Sequence, residues 1–430
     1  MSAVTRLARA LGRADQPDAV GIFIRRDDAG LFELARRSDR RRAEGGSLGP
    51  LDGQIVVIKG NIALNDLPTT AGSLSFIAQA ETTDAPLVQR LKAQGAIPMG
   101  HANLSEFAFS GLGLNPHFGT PRNGLDPDLV PGGSSSGCAS AIALGIADFA
   151  IGTDTSGSTR VPAAYQGLFG FRPTMGRYED SGILPLAPSL DTPGPMARDL
   201  DGLIALDDAL RDTLPEVGAA LTRRIVIPDR ASLGRLSKEI AGLLHAAAGR
   251  LRESGWAVEI RPFAALDEIR TLFDSFGTLV AAEAPDTLAR YTRLSNPAID
   301  PNVRRRLLAA LPVKPANARQ LMATRKRLQA LAKRELEGAL LLMPTVPAPP
   351  PRMDTVLSSA DRFAQENAKA LRLAMPLAFL DMPALAMPAG ASGPGHSLSL
   401  TGPAGSDSSI LAYARPLAPL LSQLNTETPA

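Results

Sequence analysis

Two small-residue loops and one lysine carry the groups in this sequence best suited to chemistry. Pro131-Gly132-Gly133-Ser134-Ser135-Ser136-Gly137 runs into a small-residue stretch from Cys138 to Leu144, and Thr155-Ser156-Gly157-Ser158 follows the apolar run Phe149-Ala150-Ile151-Gly152. A glycine-rich loop opening a helix can cradle phosphate, but the Lys-Ser/Thr pair that would complete a P-loop is absent. Taken alone, the first loop also reads as a tight turn packing a helix onto a sheet. The second loop sets consecutive backbone N–H groups around a serine hydroxyl, and such donors can form an oxyanion hole. A serine nucleophile needs a base, and no histidine lies near it in sequence. Lys59 closes the apolar run Ile55-Val56-Val57-Ile58, and burial there would lower its pKa because a dry pocket disfavours the ammonium form. The same lysine could instead pair with a carboxylate.

These groups need elements to hold them. Residues 55–58 read as a buried strand that stops at Lys59-Gly60-Asn61. Leu87, Val88 and Leu91 give residues 84–94 a helical spacing, and Ile97-Pro98-Met99-Gly100 suits the next strand. This alternation predicts an α/β fold with a largely parallel sheet. Residues 103–123, rich in Gly, Phe, Ser and Asn, suit a loop lining a cavity. The first 50 residues read as helix followed by a frayed, charged stretch from Arg36 to Gly49. Beyond residue 200 come a strand at Arg224-Ile225-Val226-Ile227, charged helical patterns at 236–254 and 303–337, a proline-dense 343–352, a helix over 354–374 and a buried strand within Met382–Gly390. We expect one unit over 1–430, with a core from 50–228 and 338–415 and a helical flank or cap at about 230–337.

Composition excludes several classes. At 44% apolar and 20% charged residues over 430 positions, the chain is globular and long enough for a large core. Its 45 basic and 43 acidic side chains leave a net charge of +2, no excess for holding nucleic acid. The single cysteine, Cys138, excludes an internal disulfide and fits a reducing compartment. The N-terminus carries Arg6, Arg9 and Arg13 without an apolar core, so it reads as a mature start, and no apolar run reaches the length of a membrane span. A cytoplasmic location without membrane contact is the expectation. The histidines at 101, 117, 245 and 396 are scattered without a metal-ligand spacing, so neither metal nor cofactor is expected.

The loop Pro131–Gly137, followed by Gly152-Thr153-Asp154-Thr155-Ser156-Gly157-Ser158-Thr159-Arg160-Val161-Pro162-Ala163-Ala164, resembles the amidase signature family. Ser134 and Ser158 keep that family's interval. Further blocks keep its order: Gly49-Pro50-Leu51 with Val57-Ile58-Lys59, Asn115 to Asn123, Gly170 to Thr174, Ser189 to Pro195, and Pro383 to Gly390 with Gly402-Pro403. The resemblance implies a mixed, largely parallel central sheet covered by helices on both faces. It also implies a Ser–cis-Ser–Lys unit with Ser158 as nucleophile, Ser134 as proton relay across a cis Gly133–Ser134 peptide, and Lys59 as base. The N–H groups of residues 155–158 would receive the oxyanion, with Thr155, Ser156, Gly157, Ala108 and Ser110 facing the substrate. The sequence departs from the family at Gly60 and Asn61, where aspartate usually follows the lysine, at Ser156, often glycine, and at Cys138, where small residues predominate. Ser136 matches the allophanate-hydrolase-like branch.

The expected function is therefore hydrolysis of a carboxamide or related C–N bond in a small molecule through an acyl-enzyme. A homodimer is compatible with it. The alternatives are an amidotransferase A-type subunit delivering ammonia from glutamine to a partner, and a non-catalytic binding module on the same fold. Of the remaining residues, Cys138 reads as core, Arg160 as the partner of Asp154 or Asp191, His117 as a loop hydrogen-bonder, and Trp256 and Phe276 as packing, with Phe276 also placed to line a pocket.

Overall fold

The computed structural model describes residues 1–211, 221–313, 315–390 and 393–424; the other positions of the expected 1–430 unit lie outside the described residues. Among the described residues eleven strands form one sheet: β1 (Phe23–Arg25), β2 (Ile55–Lys59), β3 (Ile97–Ala102), β4 (Phe149–Thr153), β5 (Phe169–Arg172), β6 (Pro193–Ala197), β7 (Arg224–Pro228), β8 (Ala257–Arg261), β9 (Leu340–Pro344), β10 (Ala384–Pro388) and β11 (Ser397–Thr401). Their order is β1-β3-β2-β4-β6-β5-β10-β11-β9-β7-β8.

The sheet is mixed. Parallel pairing joins β2 to β3 and β4, and β7 to β8 and β9. The run from β4 through β6, β5, β10 and β11 to β9 is antiparallel, as is β1 on β3. Parallel character is thus confined to two zones, narrower than the alternation suggested. The connection between Pro388 and Ser397 is shorter than the dozen or so residues a parallel crossover needs, so β10 and β11 turn back on each other.

Strand β2 shows how both faces are covered. Its side chains alternate: Ile55 and Val57 join one apolar cluster with Cys138, Ala139, Leu7 and Ala10, while Val56 and Ile58 join another with Leu87, Val88 and Leu206. Helices Ala3–Ala14 and Ser136–Ala143 supply the first cluster, and Pro86–Ala93 and Leu200–Leu210 the second. A strand buried on both sides needs an unbroken apolar run, which is what residues 55–58 provide. The core therefore begins well before residue 50. Helix Leu31–Ala43 also runs through much of the charged stretch expected to fray: Glu33 bonds Arg36, Arg37 and Arg40, and Arg40–Arg42 suit the negative helix C-terminus.

The 230–337 region is not purely helical, because β8 extends the sheet beside β7. Its 303–337 pattern resolves into helices Pro301–Ala310 and Pro315–Leu336. Among the described residues no helix is long and apolar enough to cross a membrane.

Candidate active site

The alternation of β2 that buries Ile55 and Val57 against helix Ser136–Ala143 sends Lys59 to the same side. Lys59 is fully buried. Its Nζ donates to Ser134 Oγ at 2.8 Å, to Thr153 Oγ1 at 2.7 Å and to the Thr153 carbonyl at 3.4 Å. Among the described residues no carboxylate lies within ion-pair distance of it. Burial pulls its pKa from 10.5 down to about 8, against the opposing charges of Asp154 and Asp191.

Gly60, where the resemblance leads one to expect aspartate, could carry a side chain only if the tip of Ile24 moved aside. A Cβ there would lie 2.6 Å from Ile24 Cδ1, which β1 brings across the end of β2. The strand end is held without the aspartate: Gly60 N–H bonds the Ala102 carbonyl at 2.9 Å, and Asn61 Nδ2 donates to the Leu184 carbonyl at 3.2 Å.

The two loops meet at the ends of β2 and β4. The Gly133–Ser134 peptide is cis. Gly133 is pressed against the 110–113 segment: its N–H bonds the Gly111 carbonyl at 2.9 Å, and a Cβ would approach Gly113 N to 2.5 Å. Ser135 N–H donates to the Ser158 carbonyl at 3.2 Å, tying one loop to the other. The Ser158 side chain opens into a cavity of about 360 Å³, and its hydroxyl makes no hydrogen bond among the described residues.

Asp154 organises the Ser158 loop from beneath. Its carboxylate accepts from Gly157 N–H (2.7 Å), Thr159 N–H (3.2 Å), Arg160 Nε (3.0 Å) and Arg160 Nη2 (3.0 Å). Burial alone would raise its pKa, but the Arg160 guanidinium and then Arg172 outweigh that and hold the carboxyl well below the usual range. Arg160 thus takes Asp154 as its partner. The Gly157 N–H is consumed by this bond, which removes it from the expected oxyanion donors. Gly157 adopts φ +129°, and a Cβ would meet Ala374 Cβ at 2.7 Å, so the residue serves the turn. The N–H groups of Thr155, Ser156 and Ser158 make no hydrogen bond among the described residues.

The expected substrate contacts divide between two adjoining cavities. Ala108, Ser110 and Ser156 line the Ser158 cavity. Thr155 lines a neighbouring cavity of about 220 Å³ with Asn61, Thr153 and Asp191, and Ala108 borders both. Thr155 Oγ1 donates to Asp191 at 2.5 Å, and burial pushes the Asp191 carboxyl up to about 6. Ser110 Oγ donates to Asn367 Oδ1 at 3.0 Å.

The other residues fall as follows. Cys138 is buried and its thiol is pushed up to about 12 by burial. His117 Nε2 lies 3.4 Å from the buried Glu106 carboxylate. Trp256 is buried against Tyr413, and Phe276 packs on the main apolar cluster while the next residues, Gly277 and Thr278, line the Ser158 cavity. Sequence reasoning did not single out Thr153 or Arg306, and it weighed Asp191 only as a partner for Arg160. The parallel register Ile58↔Ile151 places the Thr153 end of β4 beside Lys59, so strand adjacency was the signal that could have found the first.

The chain is 34% identical over 407 residues to the 2-amino-5-chloromuconic acid deaminase of Comamonas testosteroni, a match covering 92% of this chain and 88% of that protein. It is 42% identical over 212 residues to the A-type subunit of the Glutamyl-tRNA(Gln) amidotransferase of Symbiobacterium thermophilum, covering 49% of this chain and 43% of that one. A crystal structure of an amidase superposes with a TM-score of 0.87 at 28% identity, covering 98% of this chain and 97% of the other. The family described as Amidase matches residues 7–411, so the chain belongs to the amidase family and is an amide hydrolase acting on non-peptide C–N bonds.

Proposed function

We propose that the protein hydrolyses a small carboxamide through a Ser158 acyl-enzyme, with Ser134 as proton relay and Lys59 as base. The observation that carries this reading is a fully buried lysine, unpaired with any described carboxylate, hydrogen-bonded to Ser134 with its pKa drawn to about 8. Such an amine is neutral in a useful fraction of molecules near neutral pH, as a general base requires.

Neutral Lys59 takes the Ser134 hydroxyl proton while Ser134 takes that of Ser158. Ser158 Oγ then bonds to the amide carbon, and the carbonyl oxygen becomes an oxyanion facing the N–H groups of Thr155, Ser156 and Ser158. The C–N bond breaks as the proton returns from Lys59 through Ser134 to the departing nitrogen. Water repeats the attack through the same relay, releasing the acid and restoring Ser158. A small amide and water suffice, with no partner chain. We read the described chain as one unit, with residues 230–337 closing the Ser158 cavity from one side.

The deaminase relative, matched along most of its length, supports a reaction that releases ammonia. The amidotransferase reading rests on a match to less than half of that relative. A non-catalytic module would not need Lys59, Ser134 and Ser158 together. Ammonia release from a panel of primary amides, arylacetamides, glutamine and allophanate is the test, with wild type beside Ser158→Ala. Turnover should fall by at least about 10³-fold in the variant. Equal turnover in both proteins would sink the nucleophile assignment.

A further inference from the structure

Helix Ala264–Phe276 and the short helix Ala374–Phe379 flank a cavity of about 520 Å³, walled largely by Leu266, Ile269, Phe273, Leu373 and Pro376. Thr278 and Met375 stand between it and the Ser158 cavity, since each lines both. On its other side, Ala368 and Arg372 line both this cavity and an open cleft of about 740 Å³. An apolar chamber thus passes, at Arg372, into a rim that carries Arg235, Lys238, Lys369 and Arg372 and no acidic side chain.

Four cations on one wall repel one another, and the fold answers little of that charge. Arg235 and Lys238 are exposed and make no ion pair or hydrogen bond among the described residues. Lys369 reaches Glu366 at 3.4 Å, a carboxylate it shares with Arg362. Arg372 is half-buried and spends N–H groups on backbone: Nη1 donates to the Leu233 carbonyl and Nη2 to the Arg235 carbonyl at 2.6 Å, around the turn at Gly234. Burial and then the charge of Arg270 lower its pKa, so its environment disfavours the cation. Arg270 itself is paired with Asp267 at 2.9 Å, and Asp274 lines the apolar cavity, so the unanswered charge lies on the cleft side. Lys238 also stands at the start of helix Lys238–Glu253, where the helix dipole favours an acid instead. A guanidinium fixed by backbone carbonyls, three further cations around it and an apolar chamber behind it match a ligand with a doubly charged head and an apolar body.

We propose that the cleft and the chamber form one binding site for a small phosphate monoester, with its dianion among Arg235, Lys238, Lys369 and Arg372 and its apolar body lodged past Arg372. The site stands apart from the Ser158 reading and does not depend on it.

The test is calorimetric titration of the full chain at low salt with hexyl phosphate, inorganic phosphate and hexanol. Hexyl phosphate should bind at least about tenfold more tightly than inorganic phosphate, the gain from burying about two of its methylenes. It should also bind at least about tenfold more tightly than hexanol, which lacks the charge. The double variant Arg235→Gln with Lys238→Gln, which changes two exposed side chains, should weaken hexyl phosphate by about threefold to thirtyfold. Arg372→Gln should weaken it by about tenfold or more; if that variant fails to fold, the double variant decides alone. No binding of hexyl phosphate to wild type, binding no tighter than that of inorganic phosphate, or an affinity unchanged in the double variant would each overturn the proposal. So would an affinity lost in Arg306→Met, because Arg306 lines the Ser158 cavity, stacked on Phe109 at 4.0 Å, and the ligand would then lie there.

Discussion

The end of β2 and the floor beneath the Ser158 loop each bury a cation, and the protein treats the two in opposite ways. Arg160 meets Asp154 in a paired contact, with both side chains fully inaccessible to solvent. Lys59, equally buried, receives hydroxyls and a carbonyl in place of a carboxylate. The first arrangement fixes charge and therefore shape: Asp154 gathers the N–H groups of Gly157 and Thr159 and sets the turn that presents Ser158. The second leaves charge negotiable, so that the amine can lose and regain a proton. Positioning asks for a satisfied ion pair, whereas proton transfer asks for an unsatisfied one.

Removing the negotiable cation is the most severe test of this contrast. Lys59→Met should reduce kcat by about 10²–10⁴-fold without lowering the thermal midpoint, because an unpaired buried charge is replaced by an apolar chain of similar length. The pH dependence sharpens it. Wild-type rate should climb with pH through about 8 as the amine becomes neutral. Stability has its own sign: between about 8 and 10.5 the unfolded chain keeps a proton the folded chain has shed, so stability rises with pH there. Lys59→Met should abolish that rise in denaturant titrations. A variant that melts lower and keeps the rise would break the comparison.

Asp154→Ala attacks the other side. It strands Arg160 in the interior, and chemical denaturation should show a loss of about 3–5 kcal/mol. A loss below about 1 kcal/mol would mean that the pair does not hold the loop. The smallest effect belongs to Thr153→Val. It deletes an oxygen that accepts from the Lys59 ammonium, so the charged form loses support and the acidic limb of the pH–rate profile moves to lower pH, by less than about one unit. A shift to higher pH would show that Thr153 favours the neutral amine instead.

Much of the Lys59–Ser134–Ser158 region could be read from the sequence because its signals are local: an apolar run ending in lysine, and two short loops whose glycines and serines keep their order. Other parts depend on distant partners. The Gly157 N–H looked free until the Asp154 side chain folded back onto it. Arg306 sits in Arg304-Arg305-Arg306, a run that reads as a solvated helix face, and only packing against Phe109 turns one member inward. Strands β1 and β6 were equally hidden. The first is three residues long, and the second, Pro193-Gly194-Pro195-Met196-Ala197, has the composition of a turn and is a strand because β4 and β5 flank it. The charged 36–43 stretch erred the other way, since its arginines stabilise the helix end they were expected to fray.

The Ile24 side chain over Gly60 has a further consequence. β1 works as a gasket over the strand end: Ile24 fills the space that a longer residue at position 60 would otherwise occupy. Positions 24 and 60 are therefore matched in size although they lie far apart in the chain. A larger residue at 60 would be accommodated only with a smaller one at 24, so the two should change together or not at all.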